Sequence, residues 1–143
     1  MVLVASYNAG TEGFYSKGLL YRLEPGGVFS RESLEVSFLW DTGTVKSMIS
    51  ERVCDSLNIR VIGGIPVLGV GGTALSGDCA VAFVIPNSDK SAVWIHPVIV
   101  GTFPAENVPD VDVIIGLDVI LEGRMIVEKT GGIPTLTFTV PDP

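Results

Sequence analysis

The sequence predicts an all-β domain, a closed barrel or a sandwich. Three observations carry that expectation: segments rich in β-branched and aromatic residues recur along the chain, Gly, Pro, Asn or Asp fill most of the gaps, and helix signals are few and short. In order, the strand segments are LLYRL (19–23), LEVSFLW (34–40), CAVAFVI (79–85), AVWIHPVIV (92–100), VDVIIG (111–116), RMIVE (124–128) and TLTFTV (135–140). One short helix is expected over SERVCDSLN (50–58), with Ser50 as N-cap and Val53 and Leu57 facing inward. A second is expected over DVILEG (118–123), with Asp118 capping and Gly123 stopping it. Neither is long enough to stand without tertiary packing. Residues 1–32, punctuated by NAGTEG and EPGG, read as an N-terminal arm or an added hairpin ahead of a main domain at 33–143.

At 143 residues the chain has the size of one domain, and 47% hydrophobic with 17% charged residues supplies a core. No apolar run approaches the length of a membrane span, so no membrane partner is expected. The opening MVLVASYNAG has no basic stretch before its apolar residues and makes a poor secretory signal. A net charge of −7, with the nine Lys and Arg scattered, argues against nucleic acid, which needs a basic face. Cys54 and Cys79 share no motif spacing; they read as small buried apolar side chains in a reducing, cytoplasmic setting, without a disulfide. One histidine and no Cys/His cluster leave no basis for a metal, and no cofactor is expected.

Three stretches stand out. In SFLWDTGTVKSM (37–48) an apolar strand runs directly into Asp41-Thr42-Gly43-Thr44. A carboxylate at that point is costly unless it is paired or put to chemical use. In IPVLGVGGTALSGDCAVAFVI (65–85) two apolar runs flank Gly69-Val70-Gly71-Gly72, the pattern of a hairpin with a glycine-rich tip. In VIIGLDVILEGRMIVEKTGG (113–132) a buried strand ends at Gly116 and a one-turn helix follows.

Together and in this order, the three resemble the retroviral-type (retropepsin-like) aspartic proteases, nearest to the cellular and bacterial branch that includes the DNA-damage-inducible proteins. The resemblance covers about residues 33–130. Asp41-Thr42-Gly43-Thr44 fits the family's catalytic signature, Gly69, Val70, Gly71 and Gly72 fall where it carries a flap over substrate, and Ile114-Ile115-Gly116 fits the element that supports the catalytic loop. The resemblance implies a closed barrel of the acid-protease type with one lobe per chain. It implies an aspartic endopeptidase in which two Asp41 carboxylates of a homodimer activate a water against a peptide bond. Thr42 would interlock with the partner loop and Gly43 would permit its tight backbone. The alternative is a catalytically silent module of the same fold that binds peptides or only dimerises. Thr44 stands where viral members often have alanine, and Trp40 is bulkier than the small or aliphatic residue expected before the acid, which leaves open whether it narrows the approach or packs beneath the loop.

Other candidate groups read as structural. Asp118 is expected to cap a helix and not to act as a second catalytic acid; Asp110 and Asp112 read as a solvated loop and strand start; and His96, in WIHPV, reads as a half-exposed strand histidine.

Overall fold

The computed structural model describes residues 1–69, 72–108 and 110–142; for 62–69, 72–76 and 107 it describes the backbone alone. Ten strands dominate: β1 (Val2–Asn8), β2 (Gly13–Glu24), β3 (Val28–Trp40), β4 (Met48–Ser50), β5 (Ile62–Gly69), β6 (Gly72–Pro86), β7 (Val93–Phe103), β8 (Val113–Ile115), β9 (Arg124–Thr130) and β10 (Ile133–Thr139). Two short helices, α1 (Glu51–Ser56) and α2 (Leu117–Ile120), and one 3₁₀ turn at Ala105–Asn107 complete the elements among the described residues.

Six strands close a barrel in the order β6-β7-β4-β8-β3-β2, with β2 returning to β6. Closure removes open edges around the ring. The ring is filled by residues alternating inward along each strand, among them Leu20, Val36, Phe38, Ile49, Val81, Phe83, Val100, Val113 and Ile115. Phe38 and Phe83 meet edge-to-face at 5.3 Å across this core. Outside the ring β1, β10 and β9 continue the sheet, and their inner face carries Leu3, Ala5, Leu136 and Phe138. Residues 1–32 therefore supply β1, β2 and the start of β3, and bury Leu3, Ala5 and Leu20 with the rest of the core.

Four of the seven sequence-expected strands lie wholly within observed ones; AVWIHPVIV and TLTFTV each overrun theirs by one residue, at Ala92 and Val140, and VDVIIG keeps only Val113–Ile115 as strand. Ser50 caps α1 as expected, its side chain accepting from the Arg52 amide. The second helix differs. It starts one residue earlier, at Leu117, its N-cap is Gly116, and Asp118 lies inside its first turn. The strands β1 and β4 carried no recognised signal. β4 is only three residues long and exists through its neighbours, parallel to β7 and antiparallel to β8.

Pairing of β3 with β8 and the packing of Trp40 govern the placement of the loop after β3. Parallel pairing of Phe38, Leu39 and Trp40 with Val113, Ile114 and Ile115 sets β3 and β8 side by side, so both end at the same level. Trp40 is 6% exposed, donates its indole N–H to Ser16 Oγ at 2.9 Å and packs on Phe138 at 5.0 Å. It supports the loop from beneath and does not narrow the approach to it.

Candidate active site

Asp41 leaves β3 half-buried, with its amide still donating to Ile115 O of β8 at 2.9 Å. The next three residues turn back upon its carboxylate. The Gly43 amide donates to Oδ1 at 2.8 Å, and the Thr44 hydroxyl donates to Oδ2 at 2.9 Å. Both oxygens are therefore fixed by the loop itself, while Thr42 and Gly43 remain exposed. A Cβ on Gly43 would lie 3.1 Å from Oδ1, which crowds the same atom its amide serves. Thr44 answers the departure noted in the sequence: an alanine there would leave Oδ2 without this donor.

The loop is clamped to β8 and α2. Thr44 O accepts from Leu117 N at 2.8 Å and Val45 O accepts from Asp118 N at 3.0 Å. Those are two of the amides a helix leaves unpaired at its first turn, so the loop caps α2, whose N-cap Gly116 has no side chain to do so. In return Asp118 Oδ1 accepts from the Ser47 amide at 2.9 Å and from the Ser47 hydroxyl at 2.7 Å. The Ser47 hydroxyl accepts in turn from the Gly116 amide at 2.9 Å. Asp118 thus acts as a pin for the loop and not as the helix cap the sequence suggested.

Gly116 is held by space. A Cβ would come within 2.6 Å of Thr44 O and 3.1 Å of the Lys46 carbonyl carbon, both backbone atoms that cannot swing away. Ile115 is fully buried and Ile114 half-buried on β8. The structure thus brings Asp41, Gly43, Thr44, Ile115 and Gly116 into one hydrogen-bonded unit, to which Ser47 and Asp118 belong as well, with Thr42 exposed at the tip of the loop. Ser47, fully buried, was missed by sequence reasoning, because an isolated serine before a three-residue strand carries no pattern.

Of the flap candidates, Val70 and Gly71 lie outside the described residues, and Gly69 and Gly72 are described by backbone alone. Gly69 pairs with Gly72 at the end of the β5–β6 ladder, which runs from Ile62 opposite Asp78. At the root of that hairpin Lys46 Nζ meets Asp78 Oδ1 at 2.5 Å, linking the Asp41 loop to β6.

The remaining candidates lie elsewhere. Asp112 accepts from the Ser37 amide at 2.9 Å and pairs with Arg52 at 3.3 Å; Asp110 is exposed. His96 stacks on Trp94 at 4.8 Å, half-buried, and burial pushes its pKa below the usual imidazole value against the opposing pull of Glu122 and Asp118. Cys54 and Cys79 are buried free thiols; the Cys54 thiol hydrogen-bonds Cys79, which raises its own pKa and lowers that of Cys79. Among the described residues no group of three or more His, Cys, Asp and Glu is placed to hold a metal ion, and no helix is long and apolar enough to cross a membrane.

No protein-family model matches this sequence, and no curated protein matches it significantly. Solved structures do. A retropepsin-like aspartic protease from Rickettsia conorii superposes with a TM-score of 0.57 at 9% identity, over 98% of this chain and 90% of that one. The retroviral protease-like domain of Ddi1 from Leishmania major aligns over 87% of this chain and 93% of that one, at 17% identity and a TM-score of 0.39, too low to bear on the fold. At such identities the likeness is one of backbone path. With a six-strand barrel, an Asp-Thr-Gly loop at the end of a central strand and a superposition over nearly its whole length, the chain has a retropepsin-like fold.

Proposed function

We propose that the protein is an aspartic endopeptidase that works as a homodimer. The observation that carries this reading is the Asp41 carboxylate, set at the mouth of a buried strand with each oxygen held by a donor of its own loop. The Gly43 bond alone is the Asx turn of any turn-opening aspartate, but the Thr44 hydroxyl on the second oxygen fixes the whole carboxylate, and proton transfer requires such fixed geometry.

One carboxylate cannot serve well as base and acid together. The chain has a single Asp-Thr-Gly, so the second acid comes from a second copy across a two-fold axis. Two carboxylates at close range share one proton, since ionising both is expensive. The ionised member takes a proton from water as the oxygen attacks the peptide carbonyl. The protonated member gives its proton to the carbonyl oxygen. As the diol collapses and the C–N bond breaks, one hydroxyl proton passes to the ionised member, and the leaving amine takes up the proton of the other, which restores the singly protonated pair. Thr42 would meet the partner loop, and the β5–β6 hairpin with Gly69, Val70, Gly71 and Gly72 would close on an extended peptide held by main-chain hydrogen bonds. Two reduced thiols fit a cytoplasmic setting for this work.

The test is cleavage of a mixed peptide library by the purified dimer from acid to neutral pH. Cleavage is expected, falling at least about a hundredfold in Asp41→Asn, which keeps the carboxylate's size and most of its hydrogen bonds. A folded dimer that cleaves nothing over that range would overturn the reading in favour of a silent peptide-binding or dimerisation module.

A further inference from the structure

A cleft of about 780 Å³ opens on the flank of the sheet, and Asp41 does not line it. Its origin is a parting of strands. β1 pairs with β2 only through Ser6–Asn8 opposite Gly13–Tyr15, then turns aside to follow β10 from Ser6 back to Val2. β2 does not meet β6 until Leu19. Ser16 and Lys17 of β2 and Leu3–Ala5 of β1 thus face each other across a gap with no strand between them. The gap is bounded by the 86–90 turn, held to β1 through the Ser88 amide on Val2 O at 2.9 Å.

The walls have a definite chemistry. Val4, Tyr7, Tyr15 and Pro86 give apolar surface, and Val4 is 47% exposed. Lys17 and Lys90 stand in the same cleft, and among the described residues neither has an ion-pair partner. In a chain of net charge −7, two unpaired ammonium groups at one opening form a local reversal of sign. Asp110 also lines the cleft but is outnumbered, and Asp89, beside Lys90 in sequence, is engaged by the Ser91 amide and hydroxyl at 3.0 and 2.6 Å. The volume lies within the roughly 300–1,000 Å³ of ligand clefts.

We infer that this parted seam is a second peptide-binding site, taking an extended segment that lies between β1 and β2 and sets a carboxylate side chain against Lys17 and Lys90. Strand flanks without a neighbour offer main-chain hydrogen bonds, as an added β-strand requires, and the lysines select the acidic side chain. The site needs neither Asp41 nor catalysis, so it stands or falls apart from the proposed hydrolase activity.

The experiment uses full-length Asp41→Asn protein, so that no probe is consumed. The probe is an acetylated, amidated, fluorescein-labelled hexapeptide of valine and threonine with one central glutamate, compared with its glutamine counterpart by fluorescence polarisation. The glutamate peptide is expected to bind about tenfold more tightly than the glutamine one, and Lys17→Glu/Lys90→Glu to abolish that preference. Amide shifts on binding are expected at Val4, Ser16, Lys17 and Ser37. Equal affinity for the two peptides, a preference unchanged in the double variant, or shifts confined to residues 41–46 would each overturn the inference. Both lysines are exposed, so the double variant is expected to fold, which circular dichroism checks.

Discussion

No methyl group fits on the Gly116 α-carbon, because the carbonyl oxygen of Thr44 stands 2.6 Å from where it would go. Gly116→Ala must therefore push the Asp41 loop off β8. It is expected to cost about 1–3 kcal/mol in denaturant unfolding and to lower any peptidase activity as well. Ser47→Ala probes the same unit differently. It leaves the buried Gly116 amide without its partner and removes one of the donors on Asp118 Oδ1, which keeps the Ser47 and Val119 amides, at an expected cost of about 1–3 kcal/mol. His96 has its pKa depressed first by burial, so folding favours its neutral form. That stabilisation is present above the ordinary histidine value of 6.5 and is lost as pH falls through the lower folded value. The melting temperature of His96→Gln is accordingly expected to fall less steeply than the native one between pH 6.5 and the lower folded value. Identical acid limbs in the two curves would remove His96 from the account.

Among the elements, β2 does more than its place near the start of the chain suggested. It pairs with β1, β3 and β6, so it closes the ring and anchors the flanking sheet. A chain starting near Arg31 lacks one ring strand and loses Leu3, Ala5 and Leu20 from the core. It is expected to show no cooperative melting transition by circular dichroism; a two-state melt from that fragment would mean the ring closes without β2. The Lys46–Asp78 link behaves otherwise. Both side chains are about half exposed, so Lys46→Ala is expected to change stability by no more than about 1 kcal/mol. Any effect is to be sought in peptide affinity at low salt, because the pair joins the loop to the root of the β5–β6 hairpin.

At the scale of the whole molecule the proposed activity requires two copies of a chain carrying −7 each. Like charges of that size oppose association until salt screens them. Sedimentation equilibrium is expected to show tighter dimers as salt is raised, and specific activity is expected to rise with protein concentration near the dissociation constant. Activity independent of concentration, in a species that sediments as a monomer, would refute the shared-carboxylate mechanism.

Strand content, the α1 cap at Ser50 and the Asp41 loop were legible in the sequence, because each depends on neighbours in the chain: alternation, a hydroxyl before a helix, an acid closing an apolar run. β4, the Ser47–Asp118–Gly116 bonds and the true start of α2 were not, because their partners lie about 70 residues apart or on other strands. The role of Trp40 was left open for the same reason, since Ser16 and Phe138 decide it. By itself the sequence determined that this is a β protein with an acid at the end of a buried strand. Only the tertiary structure decided that parallel pairing of β3 with β8 puts Gly116 against Thr44 and locks that acid's loop in place, since hydrogen bonds and close contacts between distant segments leave no periodic trace in the chain.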